Sequence, residues 1–289
     1  MSEELKDFSS VSPSAKSLLL MKGYTNIPFA KETAALMNGP EVFDLNFDNK
    51  DLWFWMRVMH FEVRYWSVSR LLQLTGYTNI LEVSSGYALR GLDLCFKNAD
   101  VHYIDTDLPG ITDVKRKLIA QLRFEHEVQG KYELQPLNVL DTNAFEQVTD
   151  TFKEGPLAIV NEGLLMYLNL EEKIQLCQTI RDTLKRHGGC WITADLYPKR
   201  SLEAMASLPQ SASEASFMEQ HKVEENKFDS FDAAKVFFQE QGFEIVQEAV
   251  PNFASLSALP HLLKFLPEEV RNSKAPPPKI QATWMMRAV

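Results

Sequence analysis

The chain has 289 residues, enough for one large domain with an appendage or for two small ones, and enough to bury a sizeable core. Its formal charge of -9 excludes a general nucleic-acid binder, which needs a basic face to neutralise phosphates. The three cysteines, Cys95, Cys177 and Cys190, lack metal-type spacing and read as core thiols, so no metal site is expected. The polar start MSEELKDFSS has no secretory character and no apolar run is long enough to span a bilayer, so a cytoplasmic setting without a membrane partner is expected.

The first element is aromatic. Residues 1–75 carry Phe43, Phe47, Trp53, Phe54, Trp55, Phe61, Tyr65 and Trp66, and read as a helical cap lying on a sheet domain. Short apolar runs bounded by turn signals then predict strands at 79–83, 101–104, 132–137, 157–161 and 190–194, with two later ones at 243–248 and 282–287. Between the earlier strands lie helical patterns. In 170–185 an apolar face of Ile174, Leu176, Cys177, Ile180 and Leu184 ends in His187-Gly188-Gly189, basic residues and then glycine. Residues 196–230, rich in Ser, Ala, Met, Glu and Gln, read as a helical lid inserted into the core of 76–289. Alternation of strand and helix predicts an α/β, doubly wound, mostly parallel seven-stranded sheet.

Polar residues gather where these strands end. Glu82-x-Ser84-x-Gly86 closes the first, Asp105-x-Asp107-Leu108-Pro109 the second and Asn138-Val139 the third. Asn161-Glu162-Gly163-Leu164-Leu165-Met166-Tyr167-Leu168 closes the fourth. Ligands of open α/β sheets bind outside the carboxyl ends of the strands, so these groups converge on one crevice. Small residues in the first turn let a ligand approach the backbone, and acid at the tip of the second strand suits the hydroxyls of a ribose.

With these motifs the chain resembles the leucine carboxyl methyltransferases, which have the class I methyltransferase, Rossmann-like fold. The run E-G-L-L-M-Y-L after the fourth strand is the most specific, and D-L-P after the second resembles the family's acidic signature. Ser12-Pro13-Ser14-Ala15-Lys16 with Gly23-Tyr24, and Arg64-Tyr65-Trp66-Ser67-Val68-Ser69, are similar to the family's N-terminal helix and Arg-bearing helix. The resemblance spans roughly residues 12–195. It implies S-adenosyl-L-methionine as cofactor and methyl transfer to the carboxylate or hydroxyl of a small-molecule or peptide acceptor. It implies that Lys16 and Arg64 hold the methionine carboxylate, while Glu162 faces its amino group. Gly86 and Glu82 belong to the glycine loop, Asp107 with Asp105 beside it takes the ribose, and Asn138 and Val139 contact adenine.

The physics of the ligand agrees with that set, since a carboxylate, an ammonium, a diol and an adenine need a cation, an acceptor, an acid and an amide. Two positions depart from the family: Ser84 stands where glycine is usual, and Leu140 where the D-L-R-D motif has arginine. Leu140 and the aromatic cap together predict an acceptor with substantial apolar surface. A carboxylate acceptor needs no general base, whereas a hydroxyl does. His60, His126, His187, His221 and His261 are bases by residue type; His221, in the expected lid, and Tyr167 are the candidate catalytic residues. Two alternatives compete: a non-catalytic scaffold of the same fold, and a nicotinamide-dependent oxidoreductase. The latter lacks its G-x-G-x-x-G fingerprint, because Ser84-Ser85-Gly86 is followed by Tyr87-Ala88-Leu89.

Overall fold

Each of the seven apolar runs forms a strand in the computed structural model, which describes residues 12–37, 47–124, 126–200, 211–272 and 278–289. The strands are β1 (Asn79–Val83), β2 (His102–Asp107), β3 (Lys131–Pro136), β4 (Leu157–Asn161), β5 (Gly189–Leu196), β6 (Phe243–Glu248) and β7 (Ala282–Ala288). They make one sheet in the order β3-β2-β1-β4-β5-β7-β6. The pairs of β7 with β5 and with β6 are antiparallel, and the other pairs are parallel. The central strands β1 and β4 are buried along their whole length, as strands covered on both faces must be.

Among the described helices, α1 (Ser12–Lys22), α2 (Ala30–Leu36) and α3 (Leu52–Thr75) precede the sheet. The rest of the alternation supplies α4 (Arg90–Lys97), α5 (Pro109–Gln121), α6 (Thr142–Thr149) and α7 (Leu170–His187). Side chains of a strand alternate between faces, so the sheet has two cores. Leu81 and Val83 pack with Phe145, Leu176, Ile180 and Trp191 on one side. Ile80 packs with Val68, Leu71 and Leu72 of α3 on the other. Caps fix the helix ends. Asp51 accepts the Phe54 N–H at 3.0 Å to start α3, and Gly76, at φ 65°, stops it. Asn169 and Glu172 form a reciprocal capping box at the start of α7.

Two strands run further than their apolar residues. β2 continues through Asp105 to Asp107, because Thr106 and Asp107 still pair with β3. Burial of Asp105 is compensated by Lys115, whose ammonium lies 2.6 Å away with both side chains fully buried. β5 reaches Leu196 because β7 pairs with it there, opposite Ala282.

The aromatics ahead of β1 divide by position. Phe54, Trp55 and Tyr65 are buried in packing, while Trp53 and Trp66 are partly exposed. Phe43 lies outside the described residues, as does Met205 in the 196–230 segment. That segment contains a helix at Ala212–Gln220. No helix among the described residues is long and apolar enough to cross a membrane.

Candidate functional site

The strand order reverses between β1 and β4, and a cavity of 410 Å³ opens there at the carboxyl ends. Its first end is built by the turn after β1 and the tip of β2. Ser84 and Gly86 both take left-handed backbone, at φ 53° and 57°. A Cβ on Gly86 would meet only Ala15 Cβ, at 3.7 Å, so conformation rather than space selects glycine here. The Gly86 N–H donates to Asp107 Oδ2 and the Leu108 N–H to Oδ1, both at 2.7 Å. Burial pushes the Asp107 carboxyl up to about 6 against those two bonds and the pull of Lys115. Asn138 and Val139 line the wall beside it, with Asn138 Oδ1 accepting the Leu140 N–H at 3.1 Å in a local turn.

The second end is an ion cluster at the tip of β4. Glu162 Oε2 accepts from Lys22 Nζ at 3.1 Å and from Arg64 Nε at 3.4 Å, and Oε1 pairs with Arg90. Arg90 also pairs with Glu82 at 3.2 Å and donates to the Tyr65 carbonyl at 2.9 Å. Burial alone would raise the Glu162 carboxyl, but Lys22, Arg90 and Arg64 outweigh it and hold the group at about 2. Burial lowers Lys22, with Arg64 and Arg90 pushing the same way, and Glu162 offsets only part of this.

The loop that presents Glu162 is fixed from behind by Asp195 at the end of β5. Its carboxylate accepts N–H bonds from Gly163 at 2.5 Å, Leu164 at 2.6 Å and Leu165 at 3.1 Å, and another from Asn161 Nδ2 at 2.7 Å. Gly163, at φ 75°, has the Arg64 guanidinium 3.4 Å from where a Cβ would stand, an ordinary contact, so conformation rather than space selects glycine here.

The third part opens between α3 and the chain after β5. His60 Nε2 lies 2.9 Å from the Tyr197 hydroxyl, which accepts from Arg64 Nη1 at 3.3 Å. Burial, with the Arg64, Arg200 and Lys227 cations, drives His60 down to about 3, so the imidazole is neutral throughout the physiological range. Arg57 pairs with Glu214 at 2.7 Å, joining α3 to the helix Ala212–Gln220. Trp53, Met56, Phe61, Phe217 and Met218 supply apolar wall.

The structure brings Arg64, Gly86, Asp107, Asn138, Val139, Glu162 and Tyr167 to this one cavity, and places Lys16, Glu82, Asp105 and His221 outside its lining. Glu82 is engaged by Arg90 and by the Tyr103 hydroxyl at 2.6 Å. Asp105 is consumed by Lys115, Ser85 and the Tyr132 hydroxyl. His221 packs against the rings of Phe217 and Tyr167, with centroids 4.5 and 6.2 Å away. Leu140 is buried in the sheet core and does not reach the cavity, so selectivity through its identity has no direct contact to act through. Lys22, Tyr197, Arg200 and Asp195 join the site without having stood out in the sequence. Lys22 had a signal: it follows Leu18-Leu19-Leu20-Met21, where a cation is drawn into apolar surroundings.

No protein-family model matches the sequence, and no curated protein matches it. Solved structures do match in fold. A DUF574 family protein from Streptomyces avermitilis is similar at 12% identity over 94% of this chain and 97% of its own, with a TM-score of 0.54. A proposed methyltransferase from Thermobifida fusca is similar at 16% identity over 94% of each chain, with a TM-score of 0.52. LepI, solved with SAH and a substrate analogue, is similar at 10% identity over 73% of this chain, with a TM-score of 0.44; the chain spans 43% of its length. The fold is the class I methyltransferase, Rossmann-like fold.

Proposed function

We propose that the protein is an S-adenosyl-L-methionine-dependent O-methyltransferase of the leucine carboxyl methyltransferase kind. Its acceptor is a small molecule or peptide with apolar surface, modified on a carboxylate in preference to a hydroxyl. One observation carries the reading: a single cavity runs from an ion cluster, past a left-handed turn locked to Asp107, into a chamber with apolar walls. The donor set fits the cofactor. Arg64 and Glu162 suit its amino-acid end, Asp107 its ribose diol, and Asn138 with Val139 its adenine. Gly86 lets the backbone come close.

When bound, the cofactor supplies an electrophilic methyl group on a sulfonium. The chain's own task is then to orient an oxygen nucleophile and keep water out. The walls of Trp53, Phe61, Phe217 and Met218 serve both ends. His60, held neutral at about 3, is a weak base, and its Nε2 faces the Tyr197 hydroxyl. That favours an acceptor that arrives ionised, as a carboxylate does at neutral pH. Tyr167 adds a buried hydroxyl on the same wall. The three buried cysteine thiols, unpaired with one another, suit the cytoplasmic setting we assign to the protein.

Calorimetric titration tests the cofactor reading. S-Adenosylhomocysteine should bind and NAD should not; tighter binding of NAD refutes it. A methylation screen over apolar carboxylic acids and matched alcohols tests the rest. Cofactor binding with no methylated product across the panel would favour a non-catalytic scaffold.

A further inference from the structure

Lys22 closes α1 with its ammonium in the cavity wall, and its residue surface is 7% exposed. In direct contact, three cations (Lys22, Arg64 and Arg90) share two carboxylates, those of Glu162 and Glu82. Asp195 lies behind them, turned to the four N–H donors of the 161–165 segment. Arg90 is the innermost cation, 1% exposed and engaged by Glu82, Glu162, Ser69 and the Tyr65 carbonyl. Arg64 is divided between Glu162 and the Tyr197 hydroxyl. Among the described residues, the Lys22 ammonium meets Glu162 and the face of Tyr65, 5.4 Å from its centroid. A buried ammonium has three donors, and one carboxylate oxygen uses one of them. Burial lowers the Lys22 pKa, with Arg64 and Arg90 adding to it, and Glu162 offsets only part of that.

Resting on the cofactor reading above, we infer that Lys22, rather than Lys16, is the cation that receives the carboxylate of the ligand's amino-acid end, beside Arg64. Lys22 thereby makes the site selective for ligands that carry this carboxylate. The ligand's carboxylate placed there gives the unused Lys22 donors an acceptor, while the ligand's ammonium turns to Glu162. Lys16 stands six residues earlier on the same helix, outside the cavity lining.

The test uses two ligands with the same nucleoside. S-Adenosylhomocysteine has the amino-acid end, and 5′-methylthioadenosine lacks it. Calorimetry on the full chain should show Lys22→Met weakening S-adenosylhomocysteine about tenfold or more, the size of one lost charge-assisted bond. It should leave 5′-methylthioadenosine within about twofold, while Lys22→Arg restores most of the loss and Lys16→Met changes neither ligand. Equal losses for both ligands in Lys22→Met, or a loss of S-adenosylhomocysteine in Lys16→Met alone, overturns the inference. If Lys22→Met does not fold, the comparison of Lys22→Ala and Lys22→Arg decides it in the same way. Wild type that binds 5′-methylthioadenosine but gains nothing from the amino-acid end refutes the clasp and spares the cofactor site. Wild type that binds neither ligand refutes both.

Discussion

Asp107 sets binding against stability, and replacing it with asparagine separates the two. Burial moves its carboxyl from an ordinary 3.8 to about 6, even with two backbone N–H groups donating to it. A folded pKa above the unfolded one means that the native state prefers the protonated acid. Its stabilising contribution is therefore full below 3.8 and is lost as pH rises through about 6. The whole effect is about 3 kcal/mol at about 1.4 kcal/mol per pH unit, and about half of it falls between pH 5 and pH 8. Asp107→Asn keeps an acceptor for the turn and removes the charge. Urea unfolding of both proteins should show the variant gaining on wild type by about 1.4 kcal/mol from pH 5 to pH 8. Binding should run the other way. Wild-type affinity for S-adenosylhomocysteine should fall about tenfold per pH unit below about 6, as the diol acceptor is protonated, and the variant should be weak and flat. A stability difference that does not change with pH refutes the reasoning.

Glu162→Gln and Arg64→Ala should each weaken S-adenosylhomocysteine by roughly tenfold or more, read by calorimetry; unchanged affinity in both returns them to purely structural charges. Asp195→Ala strips a buried acceptor from three backbone N–H groups and should cost at least about 3 kcal/mol in chemical denaturation, so a loss below about 1 kcal/mol contradicts its role in fixing the loop. Ser84→Gly releases a left-handed non-glycine residue and should raise stability by up to about 1 kcal/mol; a clear loss would mean that the serine is held there by its contacts. Leu140→Arg should lower the melting temperature, since it forces a charge into the sheet core, and should not alter acceptor preference in a methylation screen.

The sheet was legible because its strands are apolar runs cut by clear turn signals. β1, β4 and β6 fall on their expected residues, since periodicity and turn chemistry agree there. The tip of β2 was not legible, because Asp105 reads as a turn residue until Lys115 is brought across from α5. The site divides the same way. Gly86, Asp107, Asn138 and Glu162 follow strand ends, so local order places them at the crevice. Lys16 and Lys22 both lie on α1, and only the packing of that helix against α2, α3 and the glycine loop decides which one enters the cavity. His60 and His221 posed a similar choice among histidines. Tertiary position made it: α3 turns His60 to the cavity, and Phe217 and Tyr167 hold His221 in an aromatic contact.

The long helix α3 reaches from the chamber mouth to the sheet core, and its cavity-lining residues run from Trp53 to Arg64. Trp53, Met56, Arg57 and His60 occupy its opening turns, whereas Val68, Leu71 and Leu72 are locked against β1, β4 and β5. The left-handed turn at Ser84–Gly86 is a separate stretch of chain. Exchanges in the opening turns therefore alter the chamber wall while leaving the sheet register and the turn after β1 in place. On the proposed function, a library confined to 53, 56, 57 and 60 is the economical place to look for altered acceptors.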